Sequence, residues 1–286
     1  MRASSSSVLT TALLLFGGAI AGCSGKPSSS SCLDASIVAH SGQPVGKEVV
    51  YNNITLYISK PDSKAARTKA REGTAVLYLT DVFGIILPEN KLLADSFARA
   101  GYLTIAPDLF GGDPAPGDLN VPGFNTTEFL ARHNATVTDP IIASTIAYLR
   151  THLNVTRIAA PGYCFGGRYA FRFLAADRSR NGAAIDVGYA AHPSLLEASE
   201  IKAISGPVAI AAADGDNMFD AKARAQAEAV LVDVGQPYQV SLYSQTQHGF
   251  GVRANVSDPN QRWAKEQAFL QAVRWFDRFF MGSSSS

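Results

Sequence analysis

From Thr74 to Phe280, strand-length apolar runs alternate with segments of helical period, and this alternation constrains the fold more than any other feature of the chain. Thr74 to Thr80 (TAVLYLT) is a continuous apolar run, the pattern of a parallel strand buried on both faces. Glu89 to Ala100 follows with Leu93, Phe97 and Ala100 at helical spacing. Leu103 to Ala106 is a second short strand, ended by Pro107-Asp108, and a Gly/Pro-rich loop runs from Gly111 to Gly123. Asp139-Pro140 predicts a helix start, with Asp as N-cap and Pro as first residue, and with Ile142, Ile146, Leu149 and Leu153 on its apolar face. Arg157 to Ala160, Ala184 to Ala190, Val208 to Ala212 and Tyr238 to Tyr243 read as further strands. Helices are expected through Leu174 and over Phe219 to Val234, and a final one places Phe269, Val273, Phe276 and Phe280 on one face. Val49 to Ile58 alternates enough for an early strand or hairpin. The expected class is α/β, with a mostly parallel central sheet flanked by helices on both faces. In such sheets chemistry collects at the carboxyl ends of the strands.

Composition sets the outer limits. With 47% hydrophobic and 17% charged residues in 286, a large core is available. A formal net charge of +1 and the lack of a basic cluster argue against nucleic acid as a partner. Arg2, a Ser run and the apolar stretch Val8 to Ala21 have the proportions of a signal peptide over residues 1–21, too short for a lone membrane span. Ile20-Ala21-Gly22-Cys23 also reads as a lipobox, in which Cys23 carries a lipid. Residues 22–31 read as a Ser/Pro-rich linker, 32–281 as the folded domain and 282–286 as a disordered tail. Glycosylation sequons at Asn53, Asn125, Asn134, Asn154 and Asn255 favour secretion through a eukaryotic pathway over lipid anchoring. Of the three cysteines, Cys23 and Cys32 lie close enough in sequence to pair if cleavage leaves both, which makes Cys164 an unpaired thiol in need of an explanation.

That explanation is offered by Gly162-Tyr163-Cys164-Phe165-Gly166-Gly167, which has the G-x-nucleophile-x-G spacing of a nucleophile elbow with Cys in the nucleophile's place. Glycines two residues to either side remove Cβ atoms that collide in a sharp strand-to-helix turn. The helix that follows points its positive end at the thiol, and the N–H of Phe165 is placed to donate to an oxyanion. The bland alternative is a small core cysteine.

A base is expected late in the chain, past the last strand, and His248 in Gln247-His248-Gly249-Phe250-Gly251 meets that expectation. Asp216, in the turn after Val208 to Ala212, is the preferred acid, with Asp214 and Asp220 as close rivals that equally suit a helix cap. The order nucleophile, acid, base is that of α/β-hydrolases. His192 follows a strand and is a candidate pocket residue. His133 and His152 read as surface residues of amphipathic helices, and His40 has no evident partner. No spacing of His, Cys and carboxylates suggests a metal site, and no phosphate-cradling Gly loop suggests a cofactor.

Taken together, Gly42-Gln43-Pro44-Val45-Gly46-Lys47-Glu48, Thr80-Asp81-Val82-Phe83-Gly84-Ile85, Pro107-Asp108-Leu109-Phe110, the Cys164 elbow, Ala191-His192-Pro193-Ser194 and His248-Gly249-Phe250 make the chain resemble the dienelactone hydrolase family, its fungal branch most, over roughly Cys32 to Phe280. The resemblance implies an α/β-hydrolase fold and hydrolysis of a lactone or small ester through a thioester on Cys164, with Asp216 and His248 completing the triad. It implies that the N–H of Val82 joins that of Phe165 in an oxyanion hole. Bacterial members carry Glu at the place of Asp81, where it bonds to the thiol, so Asp81 is a candidate thiol partner one methylene shorter. Those members also hold a substrate carboxylate with two Arg residues. Arg253 lies one residue beyond one of those places, and Arg132 is the nearest candidate for the other. The expected partner is a small ester or lactone, and the expected state a monomer. A general carboxylesterase, a non-catalytic binding protein and a redox role for Cys164 are the alternatives.

Overall fold

The computed structural model describes residues 37–180 and 182–281. The chain divides into two units, Met1–Ser31 and Cys32–Ser286, and every described residue lies in the second. The signal-peptide, linker and tail readings, together with Cys23 and Cys32, fall outside the described residues.

The elements run β1 (Lys47–Tyr51), β2 (Ile54–Ser59), α1 (Ala66–Lys69), β3 (Thr74–Leu77), α2 (Pro88–Arg99), β4 (Leu103–Pro107), α3 (Thr126–Arg132), α4 (Ala135–His152), β5 (Arg157–Tyr163), α5 (Phe165–Phe173), α6 (Ala176–Arg180), β6 (Val187–Ala191), α7 (Ala198–Lys202), β7 (Val208–Ala213), α8 (Ala221–Val234), β8 (Tyr238–Tyr243), α9 (Phe250–Arg253) and α10 (Pro259–Phe280). The eight strands form one sheet in the order β1-β2-β4-β3-β5-β6-β7-β8. The β1–β2 hairpin turns at Asn52 and Asn53 (φ 48° and 61°) and packs antiparallel against β4, while β4 through β8 are all parallel. The fold class is the one expected: an α/β sheet covered on both faces.

The inner strands β3, β5, β6 and β7 are buried along nearly their whole length because alternate residues feed two cores. Ala75, Leu77 and Leu79 face the layer that includes α4, α5 and Leu231 of α8. Val76 and Tyr78 face the layer of α2 and α10, where Phe97 meets Phe269 at 4.7 Å. The four aromatic and aliphatic residues singled out on the final helix are all buried there. Strand order reverses at β3, since β4 lies to one side of it and β5 to the other. That reversal opens a crevice outside the carboxyl ends of β3 and β5. Among the described residues no helix is long and apolar enough to cross a membrane.

One helix start differs from expectation. Helix α4 begins at Ala135, capped by Asn134 accepting from Thr136 N–H, and Pro140 sits inside it. Asp139 is drawn away from capping by ion pairs to Arg172 and Arg178. His133 is also buried rather than superficial, because its ring packs edge-on to Phe110 and against Phe129. His40 does have a partner, Glu266, at 2.8 Å.

Candidate active site

β5 delivers the chain to Cys164, which turns it into α5 with φ 52° and ψ −113°. A non-glycine residue in such a conformation stores about 1–3 kcal/mol and persists only where neighbours hold it. Here Cys164 N–H donates to Ala191 O at 3.1 Å, and Cys164 O accepts from Gly167 and Ser194 N–H at 3.0 and 3.1 Å. The motif glycines are required by space. A Cβ on Gly162 would lie 2.1 Å from Gly166 O, and one on Gly166 would lie 2.3 Å from Leu79 O. The segment after β3 is stitched to the elbow by Leu79 N–H to Pro161 O, Tyr163 N–H to Leu79 O and Gly166 N–H to Thr80 O. The segment that carries Val82 is thereby joined to the turn that carries Phe165. Among the described residues neither of their N–H groups has a backbone acceptor, and Phe165 is the first residue of its helix, where an unpaired N–H is inherent.

β7 and β8 supply the other half. After β7 the turn is fixed by Asp214 N–H to Tyr243 O and Gly215 N–H to Thr246 O. Asp216 then projects a side chain with no solvent exposure, whose Oδ1 accepts from Met218 and Phe219 N–H at 2.8 and 3.1 Å. Both its oxygens lie 3.0 Å from His248 Nδ1. Burial pushes the Asp216 carboxyl upward, but His248 and the two N–H donors outweigh it and hold the group below its ordinary value. The rivals are occupied elsewhere: Asp214 accepts from Thr246 N–H, and Asp220 caps α8 through Ala223 N–H.

His248 Nε2 is buried and has no hydrogen-bond partner. Burial opposes the imidazolium, yet Asp216 and the neighbouring Cys164 favour it more, and the ring is pushed up to about 9. The Cys164 sulfur itself is engaged 3.6 Å away with Ser194 Oγ. Nothing in the sequence context of Ser194 marks it as the thiol's neighbour.

Asp81 is elsewhere than the thiol. Its buried carboxylate accepts from Phe83 N–H (3.2 Å) and Asn90 Nδ2 (2.8 Å) through Oδ1 and from Arg253 Nε (3.2 Å) through Oδ2. Burial raises its pKa against the pull of Asn90 and Arg253. Arg253 lies over the Phe83 ring, its Cζ 4.6 Å from the centroid. His192 is fully buried, with φ 39°, and does not form a pocket wall. Its ring packs edge-on to His248 at 5.1 Å and to Phe250 at 5.6 Å. Burial, then the nearby His248 and Arg253, hold it well below the ordinary imidazole range, so it is neutral. Arg132 is a surface residue paired with Asp113.

Cys164, His248, Ser194, Arg253 and Val82 open on one small cavity of about 70 Å³, whose remaining wall is mostly Phe and Leu. Assembled there are a buried sulfur, an imidazole fixed by a carboxylate and a largely apolar wall.

Comparison with known proteins agrees with this architecture. The chain is 39% identical over 253 residues to the hydrolase pyvD of Aspergillus violaceofuscus, covering 88% of this chain and 97% of that protein. It is 28% identical over 259 residues to "Dienlactone hydrolase 1" of Gibberella moniliformis, covering 88% and 95%. Among solved structures, a putative dienelactone hydrolase from Klebsiella pneumoniae superposes with a TM-score of 0.61 at 16% identity, over 79% of this chain and 93% of that one. The sequence profile of the dienelactone hydrolase family matches residues 62–280, and this chain belongs to that family.

Proposed function

We propose that the protein is a carboxylic ester hydrolase that opens a lactone or cleaves a small ester with the sulfur of Cys164, through an acyl-thioester. The observation that carries this reading is the His248 imidazole, fixed by Asp216 on Nδ1 and left with a buried, unpartnered Nε2 beside the elbow cysteine. The proton of the Cys164 thiol resides on His248, so that the sulfur reacts as a thiolate beside the imidazolium. Sγ attacks the carbonyl carbon, and the Val82 and Phe165 N–H groups receive the oxyanion. The C–O bond breaks, the imidazolium returns its proton to the leaving oxygen, and the thioester remains. Water, deprotonated by His248, attacks the thioester carbon, and the sulfur departs as the thiolate beside the imidazolium. Asp216 holds the ring's tautomer and offsets its charge. Family membership supports the class of reaction. The exposure of all five sequon asparagines supports a secreted protein.

The test is hydrolysis of a dienelactone, a simple butenolide and p-nitrophenyl acetate by wild type and Cys164→Ala. Loss of the rate by a few orders of magnitude in the variant is expected. A variant that keeps the full rate removes Cys164 from the mechanism, and a wild type that turns over no ester or lactone leaves a binding protein.

A further inference from the structure

We propose that Ser194 is a positioning residue of this site, whose hydroxyl donates to the Cys164 sulfur and holds it as the thiolate that attacks. The proposal rests on the hydrolase reading for the bond that reacts. Two sets of observations carry it. First, the hydrogen-bond partner of the Cys164 sulfur among the described residues is Ser194 Oγ, 3.6 Å away, and both residues are buried, each 5% exposed. A sulfur anion in such a place stays charged only where donors replace its water. His248 brings the opposite charge, and Ser194 brings an O–H. A hydroxyl is able to donate or to accept, but a thiolate only accepts, so beside the thiolate the Ser194 proton lies toward the sulfur.

Second, the main chain is bent to bring that hydroxyl to the sulfur. Ser194 N–H donates to Cys164 O at 3.1 Å, so the two residues are tied twice. The chain leaves β6 through His192, with φ 39° and its N–H donating to Ala211 O at 2.8 Å, and continues through Leu195, with φ 58°. Two non-glycine residues in the left-handed region within four positions make a strained course, and Pro193 and Ser194 are what that course delivers. The elbow makes room for them at Gly167, where a Cβ would lie 3.0 Å from Pro193 Cα. The last glycine of the 162–167 motif therefore answers to the Ser194 segment rather than to the turn. The other charged or titratable groups around the sulfur come from four elements. His248, after β8, is backed by Asp216, after β7, and faces the neutral His192 ring. Arg253 of α9 is paired with Asp81, after β3. None of these side chains bonds to the Ser194 hydroxyl, so its removal leaves them in place.

The experiment follows alkylation of Cys164 by iodoacetamide against pH on the full chain, in wild type, Ser194→Ala and Ser194→Thr, together with the ultraviolet absorbance of the thiolate. Ser194→Ala keeps the main-chain bond to Cys164 O and deletes only the donor. Its profile is expected to move up by about one pH unit, the effect of one hydrogen bond to a buried charge. At low pH the variant should alkylate a few-fold more slowly, because less of the sulfur is ionised. On the upper plateau it should alkylate about threefold faster, because a thiolate relieved of its hydrogen bond is the better nucleophile. The two profiles then cross, which a merely loosened fold does not produce. Ser194→Thr keeps the hydroxyl and is expected to restore the wild-type profile. A Ser194→Ala midpoint that stays or falls overturns the proposal, as does a wild type without thiolate absorbance at neutral pH, whether or not the variants fold. The pH dependence of kcat/KM for p-nitrophenyl acetate should move with the alkylation profile. If that ester is not turned over while the alkylation profiles cross, the hydrolase reading fails and the hold of Ser194 on the sulfur stands. If it is turned over through Cys164 with an unmoved profile in Ser194→Ala, the hydrolase reading stands and this proposal fails.

Discussion

Titration of His248 gives a prediction that is independent of catalysis. The ring is about 15% exposed on its side chain and is pushed up to about 9, against an ordinary value of 6.5. That difference is a preference of about 3 kcal/mol for the imidazolium in the folded protein. Because the folded value is the higher one, the stabilisation is fully present below pH 6.5 and is lost as the pH rises to about 9. The perturbation is His248→Gln, which removes the titrating ring. The assay is urea unfolding of wild type and variant at pH 6 and at pH 9.5. The stability difference between the two proteins should shrink by about 3 kcal/mol from the lower pH to the higher. Two other groups titrate nearby but cancel in the comparison. Lys265, pushed down to about 8 chiefly by burial, gains stability as the pH rises from there towards 10.5, and buried His192 loses it as the pH falls below 6.5. Lys265 is the same in each protein, and burial, the larger cause, still holds His192 low in the variant. A stability difference that stays constant over this range would refute the claim that Asp216 and Cys164 hold His248 as an imidazolium.

Other outcomes are open to measurement. Gly166→Ala places a methyl group against Leu79 O and should lower stability by about 3 kcal/mol or more, read from the denaturant midpoint. Asp220→Ala removes the cap of α8 and should cost about 1 kcal/mol in the same assay with no change in kcat. Ser194→Ala deletes the hydroxyl 3.6 Å from the sulfur and should change the rate of Cys164 alkylation by iodoacetamide a few-fold, whereas an unchanged rate would make that contact incidental. Protein secreted from a eukaryotic host should shift in mass on enzymatic deglycosylation, with occupancy mapped to Asn53, Asn125, Asn134, Asn154 or Asn255.

What the sequence revealed follows from how local each signal is. The elbow was legible because strand, nucleophile, glycines and helix are consecutive, and their constraint is a clash between atoms four residues apart, Gly162 and Gly166. Asp216 and His248 were legible through chain order, since in a parallel sheet successive strands deliver their loops to the same end. The start of α4 was misread because an Asp-Pro signal at residues 139 and 140 competes with the cap at Asn134, and the decision lies with Arg172 and Arg178, far along the chain. The thiol's bond to Ser194 and the bond of Asp81 to Arg253 join residues 30 and 172 positions apart, and no periodicity announces either. The motif at Asp81 suggested a thiol partner or pocket residue, whereas the side chain is fully buried and bonded elsewhere. Its partners could not be read, because Asn90 and Arg253 reach it from α2 and α9 through tertiary packing.

The elbow also divides its own sequence into positions that can vary and positions that cannot. At Gly162 and Gly166 any side chain collides with main-chain atoms, which have nowhere to go. At Cys164 the unusual backbone angles are held by main-chain hydrogen bonds, its N–H donating to Ala191 O and its carbonyl accepting from Gly167 and Ser194 N–H, and the side chain is free of that duty. The scaffold therefore fixes where a nucleophile stands without fixing which element it uses. A hydroxyl in place of the sulfur would inherit the same address, and one codon suffices to exchange the nucleophile while the glycines that shape the turn must stay.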